Sequence, residues 1–395
     1  MNNVNILSFR KLAWPFVALF YNLSRLIPFR NKKIWIYGES GGKYYVDNTK
    51  YLFEYAHTQS NDGIKHIWIT DNSHILNQIK AKGFEGYKQG TLKAIWYQLR
   101  CGVAIYNKGL DDISRLPLYG GSYIVSVWHG AGFKRTYNAT YTGKYLFVKK
   151  FIDHIFSWVK MNLLTATSEY QCKQFLERFN MSRNQMVITG QPRNDYFTNM
   201  KGQDSDIKTK LSIPVEKKII LYMPTYRTSF QGSNIEAKII NEILSNSQFC
   251  NYLDKTSSIF VIKLHPLTHA FGIPKDNRFR LLTHGDEVDT QHLLSIADVL
   301  ITDYSSCFVD YALLHRPIIF FIPDKNDYIK YAGGMDKEFY ELLEYGCAYN
   351  IEELVETLKK PSLKIAEEAN NLFYDTKTGN NFSKNVYNAI VSKVL

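Results

Sequence analysis

ADVLITDYSSCFVDYALLHRPIIFFI, residues 297–322, decides the fold. Val299–Thr302 is a short apolar run rich in β-branched residues, which favours a strand. Asp303 to Ser306 supplies turn and helix-cap chemistry, and the apolar spacing from Ser305 to Leu314 is helical. Pro317 then opens a second apolar run to Ile322. A strand, a helix and a strand in so short a span form a βαβ unit, whose two strands are parallel.

The rhythm extends outward in both directions. Before this unit, strands are expected at Lys218–Met223 and Ile259–Leu264, with a helix over Ile235–Leu253 between them and another at Thr290–Ile296. Further back, strands are expected at Lys33–Tyr37, His66–Thr70, Cys101–Tyr106 and Tyr123–Trp128, with helices over Asn48–Thr58 and Ser73–Lys82. The polar run Met200–Leu211 reads as a linker between two such alternating halves. At 395 residues the chain exceeds the size at which one core stops growing. The expected organisation is two doubly wound α/β domains, 1–200 and 201–395, facing across a cleft.

Composition excludes several classes. Apolar residues make up 45% and charged residues 22%, which is ordinary for a globular chain and rules out a disordered or fibrous protein. The five cysteines are scattered and include no CxxC pair, so neither a disulfide framework nor a zinc site is indicated. No P-loop, no GxGxxG after a strand and no HExxH is present, which argues against P-loop hydrolysis, a typical dinucleotide dehydrogenase and a zincin.

The net charge of +11 is unevenly placed. Residues 1–38 hold Arg10, Lys11, Arg25, Arg30, Lys32 and Lys33 and no acid. Between these lies an apolar stretch from Leu12 to Phe29, broken by Pro15, Asn22, Ser24 and Arg25. It is too interrupted to span a bilayer but suits an interfacial helix with basic flanks. Tyr145–Leu164, with Lys144, Lys149, Lys150 and Lys160 among its aromatics, points the same way. Basic charge beside an apolar stripe favours an anionic membrane surface over nucleic acid, for which no recognition motif is present.

Doubly wound sheets bind ligands at the carboxyl ends of their strands. Four such ends carry polar residues. Trp128-His129-Gly130-Ala131-Gly132-Phe133 offers an imidazole able to accept a proton near neutrality, and glycines that admit a ligand close to the backbone. Lys263-Leu264-His265-Pro266 places a second histidine at a strand end, where with Lys263 it could face phosphate. Asp303 to Ser306, with Asp310 one turn on, begins a helix whose N–H groups attract anions. Asp303 itself repels phosphate, so it is expected to brace the loop through backbone N–H groups. Pro224-Thr225-Tyr226-Arg227 follows another strand and is expected to line the same pocket. Plain strand capping and helix capping are the competing readings for these histidines and serines.

Taken in order, these segments resemble the CDP-glycerol glycerophosphotransferase family of wall teichoic-acid primases and polymerases and related capsule transferases. Further markers are Asp47-Asn48-Thr49-Lys50, Thr167-Ser168-Glu169 and Gly190-Gln191-Pro192-Arg193-Asn194-Asp195. The resemblance implies a GT-B fold, with the activated donor held mainly on the C-terminal domain. It implies His129 as general base on the acceptor hydroxyl and His265 at the donor pyrophosphate. Arg193, Pro224, Thr225, Lys263, Leu264, Ser305, Ser306 and Asp310 would hold the donor, and the backbone of Gly130, Ala131, Gly132 and Phe133 would line its phosphate. The reaction implied is transfer of a polyol phosphate from a CDP-alcohol to a lipid-linked or glycan hydroxyl, with release of CMP, at the cytoplasmic face of the cell membrane. The CDP-alcohol is a substrate, and neither a cofactor nor a resident metal is expected. The family's Arg-Gly-Phe-Tyr-like loop and Pro-Gly-Pro turn are replaced by Ala332-Gly333-Gly334-Met335 and Tyr345-Gly346-Cys347, which leaves glycerol, ribitol or another polyol open. A sugar-nucleotide glycosyltransferase of the same fold is the alternative.

Overall fold

A strand buried on both faces reads as an unbroken apolar run, and Cys101–Tyr106 is buried along its whole length. It lies inside a seven-stranded, all-parallel sheet. The strands are β1 (Asn31–Tyr37), β2 (Lys65–Thr70), β3 (Glu85–Lys88), β4 (Cys101–Tyr106), β5 (Tyr123–Ser126), β6 (Leu163–Ala166) and β7 (Met186–Ile188), in spatial order β3-β2-β1-β4-β5-β6-β7. A second parallel sheet has β8 (Lys218–Met223), β9 (Ser258–Lys263), β10 (Phe279–Leu282), β11 (Val299–Thr302), β12 (Ile318–Phe321) and β13 (Cys347–Ala348), in the order β10-β9-β8-β11-β12-β13. The strand order reverses between β1 and β4 in the first sheet and between β8 and β11 in the second, so each sheet has a switch point, the place where doubly wound folds generally bind ligands.

The computed structural model describes residues 15–59, 62–135, 143, 145, 147–148, 160–198, 204–227, 235–265, 268, 271–283, 288–331 and 334–395. One compact unit comprises the chain up to His129, Tyr141–Asp195 and Asp375–Leu395; the other comprises Gly130–Thr140 and Tyr196–Tyr374. Of the four changes of unit along the chain, one falls directly after His129, one directly after Asp195 and one directly after Tyr374.

In the first unit Trp35, Tyr37, Phe53, Trp68 and Val103 pack with Val386, Tyr387, Ile390 and Val394 of the last helix, Phe382–Val394. That helix lacks a cap of its own, and Asp195 supplies one by accepting the N–H of Phe382 at 2.6 Å and of Ser383 at 2.8 Å. Gly190, at φ +76°, makes room for it: a Cβ there would stand 2.1 Å from the Phe382 ring. In the second unit the core joins Ile220, Tyr222, Ile243, Phe249, Phe260 and Ile301.

Three expectations need correction. The helix expected over Ile235–Leu253 is two helices, Ile235–Ser245 and Ser247–Lys255, because Asn246 caps the second by accepting the Phe249 N–H at 2.9 Å. The polar run read as a linker contains the helix Asp204–Lys210, docked through buried Ile207 and Leu211. The strand expected to reach Trp128 stops at Ser126, since Trp128 takes φ +51°. Of the two segments expected at a membrane, residues 1–14 and most of 146–159 lie outside the described residues, as do Pro266, Ala332 and Gly333. Residues 15–24 form a helix. No described helix is long and apolar enough to cross a membrane.

Candidate functional site

His129 sits one residue beyond a strained turn. A bulky residue at positive φ costs about 1–2 kcal/mol and persists only where its surroundings hold it. Here the surroundings are explicit. Asn48 Nδ2 donates to the Trp128 carbonyl at 2.8 Å and to that of Val127 at 3.3 Å. Ser126 Oγ accepts the Trp128 N–H at 3.3 Å. The Trp128 ring packs edge-on against Phe175 and Phe179. Arg193 Nη1 donates to the His129 carbonyl at 3.1 Å and pairs with Asp47 at 2.6 Å, while the Arg193 N–H donates to Asn48 Oδ1.

The markers Asp47-Asn48 and Arg193 are therefore one clamp on the histidine's backbone, all within the first unit. Arg193, expected among the donor's ligands, is engaged in that clamp. His129 as a whole is half-buried, but its Nδ1 is buried and has no hydrogen-bond partner among the described residues. Burial, together with the nearby Lys108, Arg193 and Arg178, pulls its pKa down to about 3. The imidazole is thus neutral at physiological pH, with a lone pair available for a proton. The same three cations would welcome an anion beside it, and an anion would bring the basicity back up.

The switch point of the first sheet carries polar groups that the sequence reading passed over. Glu39, just beyond β1, is buried and bonds Ser40 Oγ at 2.7 Å, Thr49 Oγ1 at 3.3 Å and the Asn107 side-chain amide beyond β4. Asp112 accepts the N–H groups of Ser40, Asn107, Lys108 and Gly109. Burial, reinforced by Asp112 and Asp47, pushes the Glu39 carboxyl well above its usual range, and burial raises Asp112 to about 6. The place of Glu39 and Asn107, within two residues of adjacent strand ends, was the available signal.

In the second unit the switch point is built on a buried ion network. Met223 of β8 lies opposite Thr302 of β11, so the segments following them run side by side. Asp303 is fully buried; it accepts the Thr225 N–H at 2.8 Å and pairs with Arg227 at 2.7 Å. The brace expected of Asp303 is present, and Arg227 is its counter-ion. Arg227 also pairs with Asp324 at 2.6 Å and donates to the Thr225 carbonyl at 2.9 Å, and its N–H is accepted by Glu236. Burial alone would lower the Arg227 pKa, but Asp303 and Asp324 hold it above the usual value. Tyr304 and Tyr328 stack face to face with centroids 3.8 Å apart, beneath Arg227 and, for Tyr328, Lys134. Burial lowers the Lys134 ammonium to about 8, with Asp303 opposing that shift.

Gly132 reaches this corner as well: a Cβ on it would lie 3.4 Å from that of Ser306. Phe133 anchors the segment by stacking on Phe308, and Ala131 is buried. Ser306 stands at the helix N-terminus but makes no side-chain cap bond, and Ser305 Oγ lies 3.5 Å from the Cys307 N–H, so neither hydroxyl is spent on a firm cap. Pro224 is buried, and Thr225 Oγ1 is buried with no hydrogen-bond partner among the described residues. His265, exposed at the end of β9, stacks on Tyr226 at 5.3 Å, and Lys263 Nζ donates to the Thr283 carbonyl at 3.3 Å. Leu264 is core, and Asp310 is buried with the Tyr374 hydroxyl 3.5 Å away. The second unit therefore gathers Gly132, Thr225, Ser305 and Ser306 around one sheet end, whereas Leu264 and Asp310 support it from inside. Among the described residues no three His, Cys, Asp or Glu side chains are arranged to hold a metal ion.

The family model described as CDP-Glycerol:Poly(glycerophosphate) glycerophosphotransferase matches residues 19–392. A teichoic acid poly(glycerol phosphate) polymerase of Bacillus spizizenii is 26% identical over 95% of this chain and 95% of its own length. The teichoic acid ribitol-phosphate polymerase TarK of Staphylococcus aureus is 30% identical over 85% of this chain and 63% of its own. The chain spans 46% of a further poly(glycerol phosphate) polymerase, from Bacillus subtilis. Among solved structures, the wall teichoic acid polymerase TagF superposes with a TM-score of 0.74 at 21% identity, covering 99% of this chain and 97% of that one. UDP-GlcNAc 2-epimerase from Neisseria meningitidis superposes at 0.53 with 12% identity, a likeness of the two-domain GT-B type of fold alone.

Proposed function

This chain belongs to the CDP-glycerol:poly(glycerophosphate) glycerophosphotransferase family, and we propose that it moves glycerol phosphate from CDP-glycerol to a hydroxyl of a lipid-linked teichoic-acid-type acceptor. The observation that carries the reading is the family match over nearly the whole chain, joined to two switch points that hold complementary chemistry. Phosphoryl transfer asks for little beyond position and charge. A neutral imidazole supplies the base, and an anion-seeking helix start whose hydroxyls are not held in a firm cap supplies the donor seat.

In this reading His129 takes the proton of the acceptor hydroxyl as its oxygen attacks the phosphorus bonded to glycerol. The new P–O bond forms, the pyrophosphate P–O bond breaks, and CMP leaves with the bonding electron pair. The proton ends on His129. Thr225, Ser305 and Ser306 donate to the pyrophosphate oxygens, with His265 at the same group. The acceptor's membrane anchor suits the helix 15–24, whose Phe16, Leu19, Phe20 and Leu23 are exposed at helical spacing.

The test is product analysis. Purified protein given CDP-glycerol and a lipid-linked acceptor should release CMP in step with acceptor extension. CDP-ribitol in place of CDP-glycerol resolves the polyol. Release of a nucleoside diphosphate from a sugar nucleotide would replace this reading with glycosyl transfer.

A further inference from the structure

A cavity of about 410 Å³ opens at the amino ends of β1, β4 and β5, the opposite end of the first sheet from His129. Its lining includes three cations, Arg30, Lys32 and Lys393, and no acid. None of the three is in an ion pair among the described residues. Arg30 is fixed in place by neutral acceptors alone: its Nη atoms donate to the carbonyls of Gln98 at 3.0 Å, Cys101 at 3.2 Å and Ser24 at 2.8 Å. Its charge is partly buried and uncompensated, a state an incoming anion relieves. Gly102 brings the start of β1 close, since a Cβ there would lie 2.5 Å from Lys32 Cα. Asn162 completes the rim: its Oδ1 is committed to the Ile124 N–H at 2.8 Å, which orients its amide group, and among the described residues its Nδ2 has no acceptor.

The bond from Arg30 to Ser24 ties this cavity to the end of helix 15–24. Leu26 and Phe29, between the two, are 76% and 72% exposed. A basic hollow flanked by bare apolar side chains is the arrangement that meets a lipid interface, where acyl chains and phosphate are presented together. We propose that the cavity binds the phosphodiester headgroup of an anionic phospholipid, held by Lys32 and Lys393 over the Arg30 charge while Leu26 and Phe29 enter the acyl region. The inference rests on the membrane-facing reading of the preceding section and gives it a specific site.

The experiment is flotation with vesicles of pure phosphatidylcholine and of phosphatidylcholine containing phosphatidylglycerol. The full chain is compared with Lys32→Gln/Lys393→Gln and with a charge-matched control in the second unit, Lys255→Gln/Lys360→Gln. A basic side chain at an anionic surface contributes about 1 kcal/mol, so removing two is expected to weaken binding to the phosphatidylglycerol vesicles roughly 30-fold. The control is expected to change binding less than about twofold. Equal binding by Lys32→Gln/Lys393→Gln and the unaltered chain overturns the site while leaving membrane attachment standing. An equal loss in the control reduces the effect to net charge and also overturns the site. If the unaltered chain ignores both vesicles, the membrane reading itself falls. Full competition by millimolar inorganic phosphate would make the cavity a free-anion site, not a lipid site.

Discussion

At the residue scale, the two histidines occupy unlike surroundings and should fail differently. His129 is held by its backbone and kept neutral, as a base requires, and His265 lies exposed on Tyr226 in the other unit. His129→Ala is expected to lower kcat by roughly 10²–10⁴-fold with little change in donor affinity. His265→Ala is expected to weaken donor binding as well. Calorimetry with CDP-glycerol beside steady-state kinetics separates the two; normal turnover of His129→Ala at saturating substrates would return that residue to the role of a strand cap.

Glu39 makes a prediction about pH. Its folded pKa is raised above the unfolded value, so the folded state holds the extra proton, and its contribution to stability is present below the unfolded pKa near 4.5 and is lost as pH rises toward the folded value. A glutamine copies the neutral carboxyl and has no such dependence. Glu39→Gln is therefore expected to gain stability relative to the parent as pH rises from 5 to 8, with a slope of at most about 1.4 kcal/mol per pH unit. Urea denaturation at several pH values measures it, and parallel stability curves would refute the protonated assignment.

At the scale of elements, the carboxyl ends of β8 and β11 are joined through Asp303, Arg227 and Asp324. Breaking a buried ion network by removing one partner costs about 3–5 kcal/mol, because the remaining charges stay buried. Arg227→Leu leaves two such carboxylates, so it is expected to destabilise the second unit by about that much and to lose donor affinity. Arg227→Lys should recover only part, since an ammonium cannot span the acceptors a guanidinium fork reaches. Chemical denaturation and donor titration of both variants check this; Arg227→Leu with unchanged stability would show the network to be dispensable.

At the scale of the whole molecule, neither unit is a continuous piece of chain. The first needs Phe382–Val394 to close its core, and the second holds Phe133 against Phe308, Phe339 and Phe373. A fragment of residues 1–200 is expected to be insoluble or molten, because Trp35 and Phe53 lose part of their cover. Adding residues 375–395 as a separate peptide is expected to restore some structure. Hydrogen exchange on the two preparations reads the difference, and a cooperatively folded 1–200 would overturn the expectation.

The amino-acid sequence by itself determined the parallel α/β class, since apolar runs separated by helical spacing leave few other ways to bury both faces of a strand. It also singled out four polar strand ends, because turn residues, histidines and hydroxyls stand out against apolar runs. The brace formed by Asp303 was legible too: a carboxylate beside an expected anion seat has little use except to accept N–H groups. Tertiary structure decided what those residues do for one another. Gly190 and Asp195 proved to seat and cap a helix nearly two hundred residues onward, and Arg193 proved to hold the His129 carbonyl with Asp47 as its counter-ion. Short edge strands such as β3, β7 and β13 were not legible either, because two to four residues carry too little periodicity to be told from a loop. Partnerships of this kind depend on which segments meet in space, and local spacing carries no record of a contact made across a fold.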